Sequence, residues 1–190
     1  MGITNWKEIS YLRHGTQNQG SAYAILMKHG IFEHLRPFDP VLVSTVCVDL
    51  DIAGSDLDII CRHRGVDAFR SEVLKRFGHY PGFTQWVRTS DDDAVVASFF
   101  ADHFQVELYG SKVPVERQFA YRHLSVMERC LKTGGQGLRE KVRALKRTGL
   151  KTEPSFARLL GLPGDPFLAF LGLESLSDRQ LEALVRGAGF

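Results

Sequence analysis

Two aspartates separated by a single residue, Asp56 and Asp58, open a short apolar segment of the chain. Because side chains alternate along a β-strand, both carboxylates would project from one face, about 7 Å apart, while Leu57 and Ile59 point into a core. Two such carboxylates repel each other unless a cation lies between them. Hard oxygen donors favour Mg²⁺ or Mn²⁺ over zinc, so the pair predicts a divalent metal site. The alternative is a solvated, inert end of a hairpin.

A third acid stands on a later predicted strand, residues 103–109. Strand alternation puts Glu107 on the face opposite Phe104, Val106 and Leu108, which would be buried. If this strand lies beside residues 56–62, Glu107 joins the two aspartates, and three carboxylates around two metal ions can support phosphoryl transfer. The alternative is an edge-strand glutamate facing water, since the pairing order does not follow from the sequence.

The segment from Val43 to Ile60 resembles the signature of the nucleotidyltransferase superfamily related to DNA polymerase β. That signature is a Gly-Ser or Gly-Gly pair, a spacer of about ten residues, Asp-apolar-Asp on a strand, and an acid on a later strand. Ser44-Thr45 stand where the small pair belongs, Asp56 and Asp58 match the metal pair, and Glu107 matches the third acid. The resemblance implies that these acids bind metal and that Ser44 and Thr45 hold the outer phosphates of a nucleoside triphosphate. Ser44 replaces a glycine, and its Cβ restricts the approach of phosphate to the backbone.

Further segments are similar to an uncharacterised bacterial family of that superfamily, namely 114–116, 121–123 and 151–154. The implied function is Mg²⁺- or Mn²⁺-dependent transfer of a nucleoside monophosphate from a nucleoside triphosphate to an acceptor hydroxyl. One alternative is a catalytically inactive protein of the same fold that binds a nucleotide or a partner protein. Another is a metal-dependent phosphohydrolase, in which water replaces the acceptor.

Basic residues concentrate in the second half of the chain. Arg122 and Arg129 are seven residues apart on one face of a predicted helix, and we expect both to contact the phosphates of the nucleotide. Residues 139–147 are densely basic, which is compatible with a nucleic-acid acceptor. No RNA-binding signature or aromatic stacking array accompanies them, so a nucleic acid is not the favoured partner.

The elements that must position these residues follow from apolar periodicity and from Gly, Pro and capping signals. We expect helices over 20–35, 67–78, 114–131 and 137–147, further helices after Thr152, Asp165 and Ser177, and strands over 41–48, 56–62, 83–88, 94–100 and 103–109. This order predicts an α+β protein. Residues 1–110 would form a mixed or antiparallel nucleotidyltransferase-like sheet with flanking helices, and residues 111–190 a helical lobe packed on it.

Composition narrows the class of protein. The 190 residues are 44% hydrophobic and 24% charged, as expected of a folded soluble domain, and the net charge of +2 combines −4 over residues 1–110 with +6 over 111–190. No apolar run is long enough to span a membrane, and the first residues lack a secretory pattern. Three cysteines without CxxC spacing fit reduced thiols, so we expect a cytoplasmic protein without a membrane partner. The sequence identifies neither the acceptor, nor the base, nor the oligomeric state.

Overall fold

The fold is α+β, as the sequence predicts, in a computed structural model that describes residues 5–89 and 93–190. A mixed five-stranded sheet with flanking helices is followed by a helical region. Contacts divide the described residues into two units. The sheet unit comprises residues 5–47 and 54–121, and the helical unit comprises residues 48–53 and 122–190. The predicted boundary lies between residues 110 and 111, eleven residues before the division at Tyr121. The sequence did not predict that Val48–Ala53 belongs to the helical unit.

The sheet has the spatial order β1-β2-β5-β4-β3. Its only parallel pair among the described strands is β2 with β5, and the other neighbours run antiparallel. The strands are β1 (Val41–Leu42), β2 (Leu57–Arg62), β3 (Thr84–Arg88), β4 (Ala94–Ala101) and β5 (Phe104–Ser111). The parallel pairing sets two strands that are distant in sequence side by side.

One face of the sheet is packed and forms the core of the sheet unit. Helix α3 (Val66–Phe77) lies against it, with the Phe77 ring stacked on that of Phe99 at a centroid distance of 4.9 Å. A Cβ at Gly110 would meet the Phe69 ring at 2.2 Å, so only glycine allows the helix to approach this closely. Burial of these aromatic rings fixes which face of the sheet remains for the site.

Two predicted elements were wrong in extent. The strand predicted over 41–48 ends at Leu42, because Ser44 accepts from the Val46 N–H through its hydroxyl and from the Cys47 N–H through its carbonyl. These bonds turn residues Thr45–Val48 into a 3₁₀ helix. The helix predicted over 20–35 is two helices, α1 (Gln17–Lys28) and α2 (Ile31–Leu35), separated by Gly30 at φ 57°.

The helical unit takes most of its residues from four helices. They are α4 (Phe119–Arg147, of which 119–121 belong to the sheet unit), α5 (Thr152–Leu159), α6 (Pro166–Gly172) and α7 (Asp178–Gly187). The two helices predicted over 114–131 and 137–147 are joined in α4, which changes direction at Gly135 (φ 53°, ψ −145°). Asp165 and Ser177 cap α6 and α7, as their positions in the sequence indicate. None of the helices within residues 5–89 and 93–190 has both the length and the apolar character needed to cross a bilayer.

Candidate functional site

The parallel pairing of β2 with β5 brings two of the three predicted acids together. Asp58 is the register partner of Glu107, so their Cα atoms are about 5 Å apart and their side chains leave the same face. Both are half-buried. Asp56 is also half-buried and lies one residue before β2 begins. Glu107 in turn pairs with Ser98 on β4, and Ser98 pairs with Thr84 on β3. We call these four residues, Asp58, Glu107, Ser98 and Thr84, the acid row.

The three acids fit a divalent cation in the chemistry of their donors, which are hard carboxylate oxygens. In the parts of the chain that the structure describes, however, no three His, Cys, Asp or Glu side chains stand in an arrangement that could hold a metal ion. The backbone register therefore provides the adjacency of Asp58 and Glu107, and a third ligand requires a side chain to rotate towards them.

Ser44 has a different environment from the one that the sequence predicts. It is completely buried, and its hydroxyl donates to the backbone carbonyl of Asp56 at 2.6 Å. A second hydrogen bond, from the Val43 N–H to the Asp58 carbonyl at 2.8 Å, joins the two ends of the loop between Val43 and Asp58. Ser44 thus fixes the backbone that carries Asp56 and Asp58. Its predicted contact with phosphate remains a prediction. Thr45 is half-buried at the first residue of the 3₁₀ helix.

A buried amide that the sequence analysis did not identify supports the same loop. Gln19, on α1, is 8% exposed and donates from Nε2 to the Val46 carbonyl at 2.8 Å. Its Oε1 accepts from the Thr16 N–H, which completes a capping box at the start of α1. The spacing Thr16-x-x-Gln19 was the available signal, but it indicates only a helix start and gives no clue to the contact with Val46.

The thiol of Cys47 lies close to this site and is protonated. Burial raises the pKa of Cys47 to about 12, and the nearby carboxylate of Asp58 adds to the rise. The thiol donates to the Leu42 carbonyl at 3.4 Å. Burial therefore disfavours the thiolate form that a metal ligand requires.

Arg122 and Arg129 have partners within the helical unit itself. Arg122 pairs with Glu174 at 2.6 Å, and this ion pair raises the pKa of the guanidinium. Arg129 pairs with Asp178 at 3.0 Å and donates to the carbonyl of Leu176 at 2.5 Å. Both side chains therefore join α4 to the chain around the start of α7. The predicted contact of these two arginines with nucleotide phosphates remains a prediction.

The densely basic part of α4 also has a structural role. Asp49 forms ion pairs with Arg143 and, at 3.4 Å, with Arg139. Lys146 donates to the Leu50 carbonyl at 2.7 Å. These contacts hold residues 48–53 in the helical unit, although this segment connects the two halves of the predicted motif in the sequence.

The arrangement defines an α+β protein with paired acids on one face of a mixed sheet. The chain belongs to the family described as Domain of unknown function (DUF4269), whose model matches residues 24–173. No curated protein matches the sequence. A solved structure described as "Structure and function of the polymerase core of TRAMP, a RNA surveillance complex" is similar at 12% sequence identity and a TM-score of 0.48. The similarity covers 95% of this chain and 60% of that chain.

Proposed function

We propose that this protein is a nucleotidyltransferase that uses Mg²⁺ or Mn²⁺ to transfer a nucleoside monophosphate from a nucleoside triphosphate to an acceptor hydroxyl. The observation that carries the proposal is the register of β2 with β5, which sets Asp58 beside Glu107 on one face. The sequence motif had left this pairing open. With Asp56 two residues before Asp58, this pairing brings three acids to one end of β2, an arrangement that a bound divalent cation would stabilise.

In this proposal Asp56, Asp58 and Glu107 would hold the divalent ions, and bound ions would supply neutralising charge at the triphosphate and favour ionisation of the acceptor hydroxyl. The acceptor oxygen forms a bond to the α-phosphorus, and the bond from that phosphorus to the β-phosphate bridging oxygen breaks. Pyrophosphate leaves with the electron pair, and the hydroxyl proton passes to solvent. Ser44 contributes by fixing the backbone of Asp56, on the evidence of its hydrogen bond to that carbonyl.

A second candidate is a catalytically inactive protein of this fold that binds a nucleotide. Two observations favour it: the described side chains offer no three-ligand metal group, and the hydroxyl of Ser44 already has a backbone partner. The phosphohydrolase alternative has no observation of its own, because it would use the same carboxylates. The two candidates differ in whether metal binding and transfer accompany nucleotide binding.

The test measures Mn²⁺ binding by titration calorimetry and transfer with α-labelled nucleoside triphosphates in an extract that supplies acceptors. Asp58→Asn removes one carboxylate from the acid row. We expect Asp58→Asn to abolish labelling of the acceptor and to weaken Mn²⁺ binding by at least roughly 10–100-fold. That is the usual loss of affinity when a residue that hydrogen-bonds a metal ligand is replaced, and a direct ligand should contribute more. Asp67→Asn is the matched control, since Asp67 is exposed in the first turn of α3.

Unchanged Mn²⁺ affinity in Asp58→Asn would contradict the metal site. Nucleotide binding without Mn²⁺ binding or labelled product supports the inactive candidate. Release of labelled nucleotide or phosphate to water, with no labelled acceptor, supports the phosphohydrolase.

A further inference from the structure

Exposed aromatic rings lie on the same face of the sheet as the acid row. Register partners share a face, so Trp86 on β3 lies on the acid-row face through its pairing with Val96, and Phe100 on β4 does so through its pairing with Gln105. Trp86 is 45% exposed and Phe100 is 44% exposed. Tyr109 on β5 also lies on this face, through its pairing with Ile60, and is half-buried.

The two exposed rings flank the acid row on opposite sides. On β3, Trp86 is two residues after Thr84. On the antiparallel strand β4, Phe100 is two residues after Ser98, so the two rings lie on opposite sides of the acid row. From strand spacing and rise, the Cα of Glu107 is about 8 Å from that of Phe100 and about 12 Å from that of Trp86. A ligand on this face that reaches the acids therefore passes an aromatic ring on either side.

The Phe100 ring is held in place by the backbone beside it. The Phe100 N–H donates to the Pro81 carbonyl at 2.8 Å, and a Cβ at Gly82 would come within 2.9 Å of the ring. Gly82, at φ 69°, thus leaves a space that the ring covers. A pre-positioned ring loses little conformational entropy when it stacks on a ligand.

Exposed cations follow on the same face. Arg62 pairs with Ser111 at the end of β2, and Arg88, at the end of β3, pairs with Ala94. Both arginines are exposed. From the acid row outwards, the next row of this face holds Trp86 and Tyr109, together with the buried Val96 and Ile60, and the row after it holds the two arginines. Rings beside guanidinium groups fit a ligand that alternates planar bases with phosphates.

The distance between the rings indicates the size of the ligand. The Cα atoms of Trp86 and Phe100 are about 14 Å apart, two repeats along the strands and one strand across. A single nucleobase cannot contact both rings, so a ligand that uses both needs at least two planar groups on one backbone. This argues for a polymer and against a small aromatic acceptor.

We propose that this face binds a single-stranded polynucleotide as the acceptor, with its last two bases stacked one on Trp86 and the other on Phe100 and the terminal hydroxyl at the acid row between the two rings. The inference rests on the proposed nucleotidyl transfer and names the substrate class of that same site. It reverses the expectation from sequence, which disfavoured a nucleic acid because no aromatic array was visible. Trp86 and Phe100 come together through the pairing of β3 with β4, and their spacing in the sequence shows no periodicity that would indicate it.

The two tryptophans of the chain allow a direct test. Trp6 is 2% exposed, so the Trp6→Phe variant leaves Trp86 as the single, accessible fluorophore. This variant is titrated with a nine-nucleotide single-stranded oligonucleotide in metal-free buffer, and separately with the matching duplex and with inorganic polyphosphate. We expect the single strand to quench Trp86 and neither of the other probes to do so at the same concentration.

Substitutions measure the contribution of each ring. With a labelled oligonucleotide and the full chain carrying both tryptophans, fluorescence anisotropy should show binding on the order of 10-fold weaker for Trp86→Leu and for Phe100→Leu. Phe119→Leu is the matched control, because Phe119 is 62% exposed but lies on α4 outside the sheet. We expect its affinity to equal that of the unsubstituted chain.

Equal binding of the oligonucleotide by all variants, or equal quenching by polyphosphate, would overturn the inference. The metal-free format separates it from the proposed function. Quenching of Trp86 in a protein that does not bind Mn²⁺ supports the stacking face and removes the transfer reaction. Mn²⁺ binding and transfer to a non-nucleic acceptor, without quenching, retain the reaction and overturn the inference.

Discussion

Ser44 shows how one hydroxyl can have a role that its position in a motif does not indicate. The resemblance assigns it to phosphate binding, whereas its buried hydroxyl donates to the carbonyl that precedes β2. A glycine at this position, as in the superfamily signature, could not make this bond. The serine therefore fixes the loop before β2, where a glycine would leave the backbone accessible. This contribution can be measured as a change in the free energy of unfolding.

We expect Ser44→Ala to lower the free energy of unfolding by about 1–3 kcal/mol, because the Asp56 carbonyl loses its donor in a buried place. Urea denaturation measures the change. Ser71→Ala on the exposed side of α3 is the control and should change stability by less than about 0.5 kcal/mol. An equal effect of the two substitutions would contradict the positioning role of Ser44.

His63 is a second residue whose environment has a measurable consequence. It is 2% exposed, and its ring stacks on that of Phe69 at a centroid distance of 5.4 Å. Burial lowers the pKa of His63, and Lys112 lowers it further, against the opposing effects of the Gly110 carbonyl and Asp93. The folded protein therefore disfavours the protonated ring.

A folded-state pKa below the unfolded value of 6.5 means that the unfolded chain binds the proton more readily. This stabilising contribution is complete above pH 6.5 and is lost as the pH falls through the folded-state pKa. We expect the free energy of unfolding to fall by up to about 1.4 kcal/mol per pH unit in that window. Urea denaturation between pH 8 and 5 should show a flatter profile for His63→Phe than for the unsubstituted chain. His14→Phe, at an exposed histidine, should leave the slope unchanged.

At the scale of elements, segment 48–53 depends on charged contacts with one helix. Asp49 adopts φ 56°, a conformation that asparagine and aspartate tolerate, and it is paired with Arg143 and Arg139. Three basic residues of 139–147, a stretch compatible with a nucleic-acid acceptor in the sequence analysis, contact this segment: Arg139, Arg143 and Lys146.

Asp49→Asn retains the backbone conformation and removes the charge. We expect a loss of about 1–2 kcal/mol in the free energy of unfolding, since two guanidinium groups lose a half-buried anionic acceptor. Asp178→Asn makes the same chemical change at an ion pair whose aspartate is 85% exposed, and should cost close to nothing. Thermal denaturation in low and high salt compares the two, and identical shifts would refute the special role of Asp49.

Most elements were predictable because their signals are local. Strands β3, β4 and β5, helix α3 and the starts of α6 and α7 follow from alternation, periodicity and capping within a few residues. Strand β1 was predicted too long because the side chain of Ser44 competes with the ladder for backbone bonds. The pairing of Asp58 with Glu107 and the exposure of Trp86 could not be predicted, because both depend on strand order over about fifty residues.

For the whole molecule, the change of sign in charge and the change from strands to helices indicated two regions. What the sequence could not show is that, within residues 5–89 and 93–190, the chain passes from one unit to the other three times, at residues 47–48, 53–54 and 121–122. The contacts responsible are long-range ion pairs and backbone bonds, such as Arg139 to Val48, 91 positions away.

This path makes the two regions inseparable as modules. A fragment that ends at residue 121 contains all five strands and all three acids, yet it lacks the basic side chains that hold residues 48–53. Exchange of the second half between relatives would have to preserve the arginines and the lysine opposite that short segment. A break at residue 121 would therefore leave the six-residue segment 48–53 of this chain without its ion-pair partners.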